Sequence, residues 1–228
     1  MFWNEKDKQA DITQSDLVVD VSFKIECKQL PGDHIDFLYQ ALIYKFPWLT
    51  NDERISVQQL YLPASGNGWE RGIHTTDNII HLSKRTRLNI RLPKFLEHKI
   101  GELENTLLDI NGYPLTIKQF KTYPIKTSDI LVARFAYYCD TDNDEALFLQ
   151  KAYQEITSRG IEVTKMLCGK AVPITINNKL ITTRSLMIAE LTKRQTIALQ
   201  EKGIGDFYQL GCGLFVPQKG IKAVNTDE

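Results

Sequence analysis

Four glycines fall within eleven residues near the C-terminus, Gly203, Gly205, Gly211 and Gly213, out of thirteen in the whole chain. Glycine enters φ > 0 freely and lets other atoms come close to the main chain, at an entropic cost that a plain connector would not carry four times. Successive N–H groups in such a loop can form a concavity for phosphate oxygens. The loop follows an amphipathic stretch, Thr192–Lys202, so the dipole of that helix points the wrong way to assist an anion. The order G-x-x-x-x-G-K-[ST] is absent, which excludes a nucleotide P-loop. The competing reading makes Gly203 a helix C′ cap and the rest a tight turn.

Charge adds to the anion-binding reading. The 28 basic and 28 acidic residues cancel over 228 positions, so no global field announces a polyanionic partner. They are segregated, however. Between positions 84 and 99 lie Lys84, Arg85, Arg87, Arg91, Lys94 and Lys99 against Glu97 alone, and 165–202 carries seven Lys or Arg against Glu190 and Glu201. The acids gather at 5–20 and 140–145. A charge block is usually a solvated face, but two basic segments in a neutral chain suit a one-sided polyanion binder. Cys27, Cys139, Cys168 and Cys212 are widely spaced, with no C-x-x-C, as expected of reduced thiols in a cytoplasmic protein that holds no zinc. No run of about 18 apolar residues is present, and the polar N-terminus lacks the pattern of a signal peptide, so no membrane partner is expected.

The elements that would carry these residues alternate in type. Residues 17–27 alternate apolar and polar as a strand does, and 34–46 places apolar side chains at 35, 38, 42 and 46, a helical stripe with Asp33 as N-cap and Asp36 at N3. Strands are expected at 55–62 and 85–92, flanking a loop with the tip SGNGWERG. Pro93 stands where a proline opens a helix, here to about Leu108, and 115–123 reads as a strand. The pattern then recurs: a strand at 130–139, a helix at 144–159 ended by Gly160, a hairpin of 165–176 and 179–191 around Asn177-Asn178, a helix at 192–202 capped by Thr192, and a short strand at 214–216. Two successive β-α-β-β-α-β units predict an α+β protein of two tandem ferredoxin-like (RRM-like) folds, 1–124 and 125–228, with the glycine-rich loop in the second.

The phrases LQEKGIG…LGCGLFVPQKGI, LPGDH…LYQAL and RTRLNIRLP, on that tandem pattern, resemble the CRISPR-associated repeat-processing endoribonucleases, the Cas-six family, and most of all its MYXAN-type branch. The resemblance covers most of the chain. It implies a protein that binds CRISPR repeat RNA, cuts it without metal or cofactor, and stays with the product (crRNA) beside companion effector subunits. The alternatives are a ferredoxin-like subunit that holds guide RNA without cutting it, and a tandem domain sensing a small ligand.

Metal-free cleavage requires the 2′-OH beside the scissile phosphate to lose a proton and the leaving 5′-oxygen to gain one. Histidine titrates in the range for either task. His34, expected at the first helical position, is the candidate base or acid; the competing reading is a helix-entry residue at the core edge. His74 sits in the glycine-flanked loop, His81 in an apolar run and His98 on a charged helix face. Family members draw a second group from varying positions. Here Tyr39 and Lys45 are the candidates, although Lys45 lies ~16 Å further along the helix and Tyr39 points about 140° away. For the phosphate backbone, Lys84, Arg85, Arg87 and Arg91 run through one expected strand, and at period two the last three share a face. Lys165, Lys170, Arg184, Lys193, Arg194, Lys202 and Lys219 extend the track to the glycine loop. The segment GCGLFV echoes an RNP1 strand, but Cys212 replaces the aromatic that would stack a base.

Overall fold

The computed structural model of the chain describes residues 17–60, 79–141 and 144–218. It is a mixed α+β protein with two principal antiparallel sheets. The first begins with β1 (Val18–Glu26), whose alternation sends Val19, Val21 and Phe23 into the core and leaves Asp20, Ser22 and Lys24 on the other face. A short ribbon follows, β2 (Gln29–Pro31), which pairs later with β4 (Ile79–His81). Helix α1 (Ile35–Lys45) buries Ile35, Leu38, Tyr39 and Leu42. Then come β3 (Ser56–Val57), β5 (Arg87–Pro93), β6 (Leu107–Ile110) and β7 (Tyr113–Pro124), giving the order β3-β5-β1-β7-β6.

Three boundaries differ from expectation. Of the strand expected at 55–62, the described residues pair with β5 over Ser56–Val57, and 61–62 lie outside the described residues. Pro93 closes β5, and the expected helix is a 3₁₀ helix over Lys94–Leu103, burying Leu96, Ile100 and Leu103. A helix reaching Leu108 is prevented by Asn105, which sits at φ 58°, and by the hairpin that takes Leu107 and Leu108 into β6. That hairpin turns at Asn111-Gly112, φ 53° and 85°, the pairing that two-residue hairpin turns favour.

The second sheet, order β11-β8-β10-β9, is formed by β8 (Ile130–Ala136), β9 (Lys165–Ile176), β10 (Lys179–Ala189) and β11 (Phe215–Pro217). Between them run α2 (Glu145–Ser158), whose N-cap Asp144 accepts from the Leu147 N–H, and α3 (Lys193–Lys202), where Thr192 and Gln195 form a full capping box. The β9–β10 turn falls at Asn177-Asn178, both at positive φ. This hairpin is long enough to reach past the second core: Ile174, Ile176 and Ile181 belong to the core that α1 covers. The second core gathers Leu131, Phe148, Ile156, Leu186, Ile188 and Phe215. Among the described residues no helix is long and apolar enough to cross a membrane.

Candidate nucleic-acid interface and the His34 site

His34 is the N-cap of α1 rather than its first residue, and it is 3% exposed. Its Nδ1 lies 3.1 Å from the Pro31 carbonyl oxygen and 3.2 Å from that of Gly32, while Nε2 lies 3.2 Å from the Leu60 nitrogen. Carbonyls only accept and a backbone N–H only donates, so these neighbours determine the tautomer: Nδ1 carries the proton, and the Nε2 lone pair receives the Leu60 N–H. The ring is thus a neutral imidazole with its basic nitrogen oriented by the main chain.

Tyr39 and Lys45 are not brought to it. Tyr39 lies on the buried side of α1, where burial pushes its phenol up. Lys45, at the far end, donates to the Leu107 carbonyl at 2.7 Å and ties α1 to β6. One faces the core and the other serves a strand end.

The three arginines separate as well. Arg85 lies in the turn before β5, exposed. Arg87 donates to the Lys84 and Thr86 carbonyls at 2.8 and 2.9 Å. Arg91 is 1% exposed and is no outward phosphate contact. Its Nε and Nη2 hold Asp20 at 2.7 and 2.9 Å, and its Nη1 donates to the Gln200 and Phe215 carbonyls at 2.9 and 2.8 Å. Burial opposes the charge, but Asp20 more than offsets it and raises the guanidinium above its ordinary value. Arg91 thereby pins α3 and β11 against β1. Breaking a buried pair on one side leaves the other charge uncompensated. Arg91→Ala is therefore expected to cost roughly 3–5 kcal/mol in urea unfolding, and exposed Arg85→Ala to stay within about 0.5 kcal/mol.

The glycine loop is spent in the same way. The Gly203 N–H goes to Leu199, that of Ile204 to Gly213, that of Asp206 to Tyr137, that of Gly211 to Tyr208 and that of Gly213 to Phe135. The Gly205 N–H goes to the Glu155 carboxylate. The four glycines stand at φ between 61° and 83°, and what approaches them closely is this chain: Tyr208, Tyr137, Val57 and Ile204 respectively. With their own N–H groups used internally, Gly203, Gly205, Gly211 and Gly213, expected as RNA contacts, are placed by the structure in a packed knot between the sheets. Ser56, on β3, joins it by donating to the Tyr208 carbonyl at 2.6 Å. Cys212 is buried, its thiol pushed up to about 12 by that burial.

Of the remaining basic candidates, Arg184 is 8% exposed and engaged with Glu145 at 3.2 Å and the Gly169 carbonyl at 3.3 Å, so it too is internal. Lys165 pairs with Glu190 at 2.5 Å on the surface. Lys84, Lys170, Lys193, Arg194 and Lys202 are exposed. Lys219, His74 and the SGNGWERG tip lie outside the described residues.

The outer face of the first sheet carries polar residues not singled out in the sequence. Ser22, Gln58, Asn89, Tyr123 and Lys126 line a cleft of about 320 Å³ whose other wall is Leu214, Val216 and Pro217. Asn89 donates to Gln58 at 3.0 Å, and Lys24 and Lys121 lie exposed on the two strands beside it. The signal was the polar half of the β1 alternation.

Residues 19–220 match the family model described as Cas6 Crispr. The chain belongs to that family. It is 25% identical over 199 residues to the CRISPR-associated endonuclease Cas6 of Myxococcus xanthus, a match spanning 87% of this chain and 81% of that protein. Solved structures share the fold at much lower identity. A CRISPR-associated Cas6 protein superposes with a TM-score of 0.58 at 10% identity, covering 89% of this chain and 99% of the other. An RAMP protein described as binding different RNA substrates gives 0.59 at 10% identity over 89% and 100%. A Cas6-related protein of Pyrococcus furiosus gives 0.53 at 11% over 87% and 97%. The Cas6 family assignment therefore rests on sequence across nearly the whole described chain, with the fold in agreement.

Proposed function

We propose that this Cas6-family chain is a metal-independent endoribonuclease that cuts CRISPR repeat RNA, with His34 as the proton-transfer group. The observation carrying the reading is the locked imidazole: two carbonyls hold the Nδ1 proton and leave Nε2 as the acceptor, the form a general base needs. In the base role, Nε2 takes the proton of the 2′-OH. The freed oxygen attacks the adjacent phosphorus, the bond to the 5′-oxygen breaks, and that oxygen takes up a proton. The products are a 2′,3′-cyclic phosphate and a 5′-OH. In the acid role, the protonated ring instead supplies the last proton. Either role requires the RNA to displace the Leu60 N–H from Nε2 and open the covered ring, so binding and chemistry are coupled.

The scaffold of this reading is two tandem ferredoxin-like halves, divided near residue 124. Numbering each half by its four principal strands, the orders β7-β1-β5-β3 and β11-β8-β10-β9 both run 4-1-3-2, with β6 added at one edge. RNA would follow the polar face of the first sheet, where Lys24, Lys121 and Lys126 face phosphates and Tyr123 offers a ring for stacking. Product retention beside effector subunits, in the cytoplasm, completes the proposal. The second reading, a guide-RNA-binding subunit that does not cut, is favoured by the engagement and burial of His34.

The separating experiment incubates the protein with repeat RNA in EDTA. Cleavage should persist, and a single 2′-deoxy substitution just upstream of the cut should abolish it. Bound but uncut RNA would establish the second reading.

A further inference from the structure

The entry to α1 is tied to the opposite half of the molecule. Asp33, 4% exposed, accepts the Thr175 N–H on Oδ2 at 2.9 Å, and Asp36 accepts the Asn177 N–H at 2.9 Å. Thr175 lies on the outer edge of β9, and Asn177 opens the turn at the tip of the β9–β10 hairpin. Pro173, two residues before Thr175 on the same edge, has no N–H to offer. The carboxylates thus satisfy donors at the end of an edge strand, an end that a lysine or a bulge could guard without taking an aspartate out of water. Asp33 Oδ1 is buried with no hydrogen-bond partner among the described residues, so the Thr175 bond is the one it is placed to make.

Between the two aspartates stands His34. On its other side the same segment is held by β2, where Pro31 pairs with Ile79 and Leu30 with Ile80. Pro31 also supplies one of the carbonyls that hold Nδ1. The six residues 31–36 are therefore gripped between a strand of their own half and the hairpin of the other, while Ile174 and Ile176 pack into the core under α1. We propose that Asp33 is a positioning residue for His34. Its clamp on Thr175 makes the β9–β10 hairpin part of the device that holds the imidazole for proton transfer. This rests on the reading that His34 moves the proton.

A shift of about 1 Å in a catalytic group costs roughly 10²-fold. Asp33→Ala should therefore slow single-turnover cleavage of repeat RNA by about 10–100-fold, with affinity unchanged within about threefold, a loss in rate rather than in binding. Asp33→Asn restores a carbonyl acceptor for Thr175 and should recover most of that loss. Thr175→Pro removes the donor from the hairpin side, leaves the β10 ladder intact because that N–H points away from it, and should reproduce Asp33→Ala. It carries the test alone should Asp33→Ala not fold. In the His34→Ala background, Asp33→Ala should slow residual cleavage no further, since the group it positions is gone.

Wild-type cleavage by folded Asp33→Ala or Thr175→Pro would overturn the proposal. So would equal losses in affinity and rate, or a further slowing on top of His34→Ala. Wild-type cleavage by His34→Ala alone would instead defeat the underlying reading, and the clamp's catalytic role with it.

Discussion

His34→Ala is expected to slow single-turnover cleavage of repeat RNA by roughly 10²–10⁴-fold, the usual size of a general acid–base contribution. Affinity should hardly change, because the imidazole acts as charge develops in the transition state and adds little to the ground-state complex. The ring also has a structural duty. It receives the Leu60 N–H and donates towards Pro31 and Gly32, so alanine leaves a buried donor and buried acceptors unsatisfied. A loss of about 1–3 kcal/mol in unfolding free energy is expected alongside, and rates belong at a temperature where the variant remains folded by circular dichroism. Rate and affinity falling together would make His34 a support of the fold and would favour the non-cutting subunit.

Gly213→Ala should prevent folding or lower stability by about 4 kcal/mol or more, among the largest effects of a single substitution. Gly213 stands at φ 71°, and an added Cβ would run into the Ile204 carbonyl oxygen, with that residue's carbonyl carbon 2.8 Å away. The same residue accepts the Ile204 N–H at 3.2 Å and donates to Phe135 at 2.5 Å, so relief of the clash would break the bonds that knot the loop. Strain alone would cost far less. Gly112, at φ 85° in the β6–β7 turn, has nothing within 4 Å of an added Cβ, and Gly112→Ala should cost only about 1–2 kcal/mol. Thermal unfolding of the two variants checks the contrast. Equal midpoints would mean the loop yields and the close approach at Ile204 is not rigid.

Some of this was written locally. Thr192 and Gln195 are three apart and cap α3 as a box, and Asn177-Asn178 turns a hairpin between two alternating runs. Asn111-Gly112 is an equally strong turn signal, which the reading of 93–108 as one helix conceals. Arg91 shows where local pattern stops. Period two places it on one face with Arg87, but says nothing of whether that face meets water or another part of the chain. Only the docking of α3 and β11 puts carbonyls of residues 200 and 215 on a guanidinium at 91.

The sequence by itself determined the order of the principal elements, their type outside residues 94–110, and, through its C-terminal and LPGDH phrases, the family. It also placed a positive-φ requirement on the glycine cluster, because backbone freedom is a property of each residue. Tertiary structure decided what those residues face. N–H groups of the loop turn inward because Phe135, Tyr137 and Glu155, remote in sequence, arrive as acceptors. His34 becomes a covered, singly oriented imidazole because Pro31, Gly32 and the remote Leu60 close around it, while the β9–β10 hairpin holds the neighbouring Asp33 and Asp36. Hydrogen-bond partners in this fold lie up to 152 positions apart along the chain. Hydrogen-bond complementarity at that range is set by packing, which no local spacing encodes.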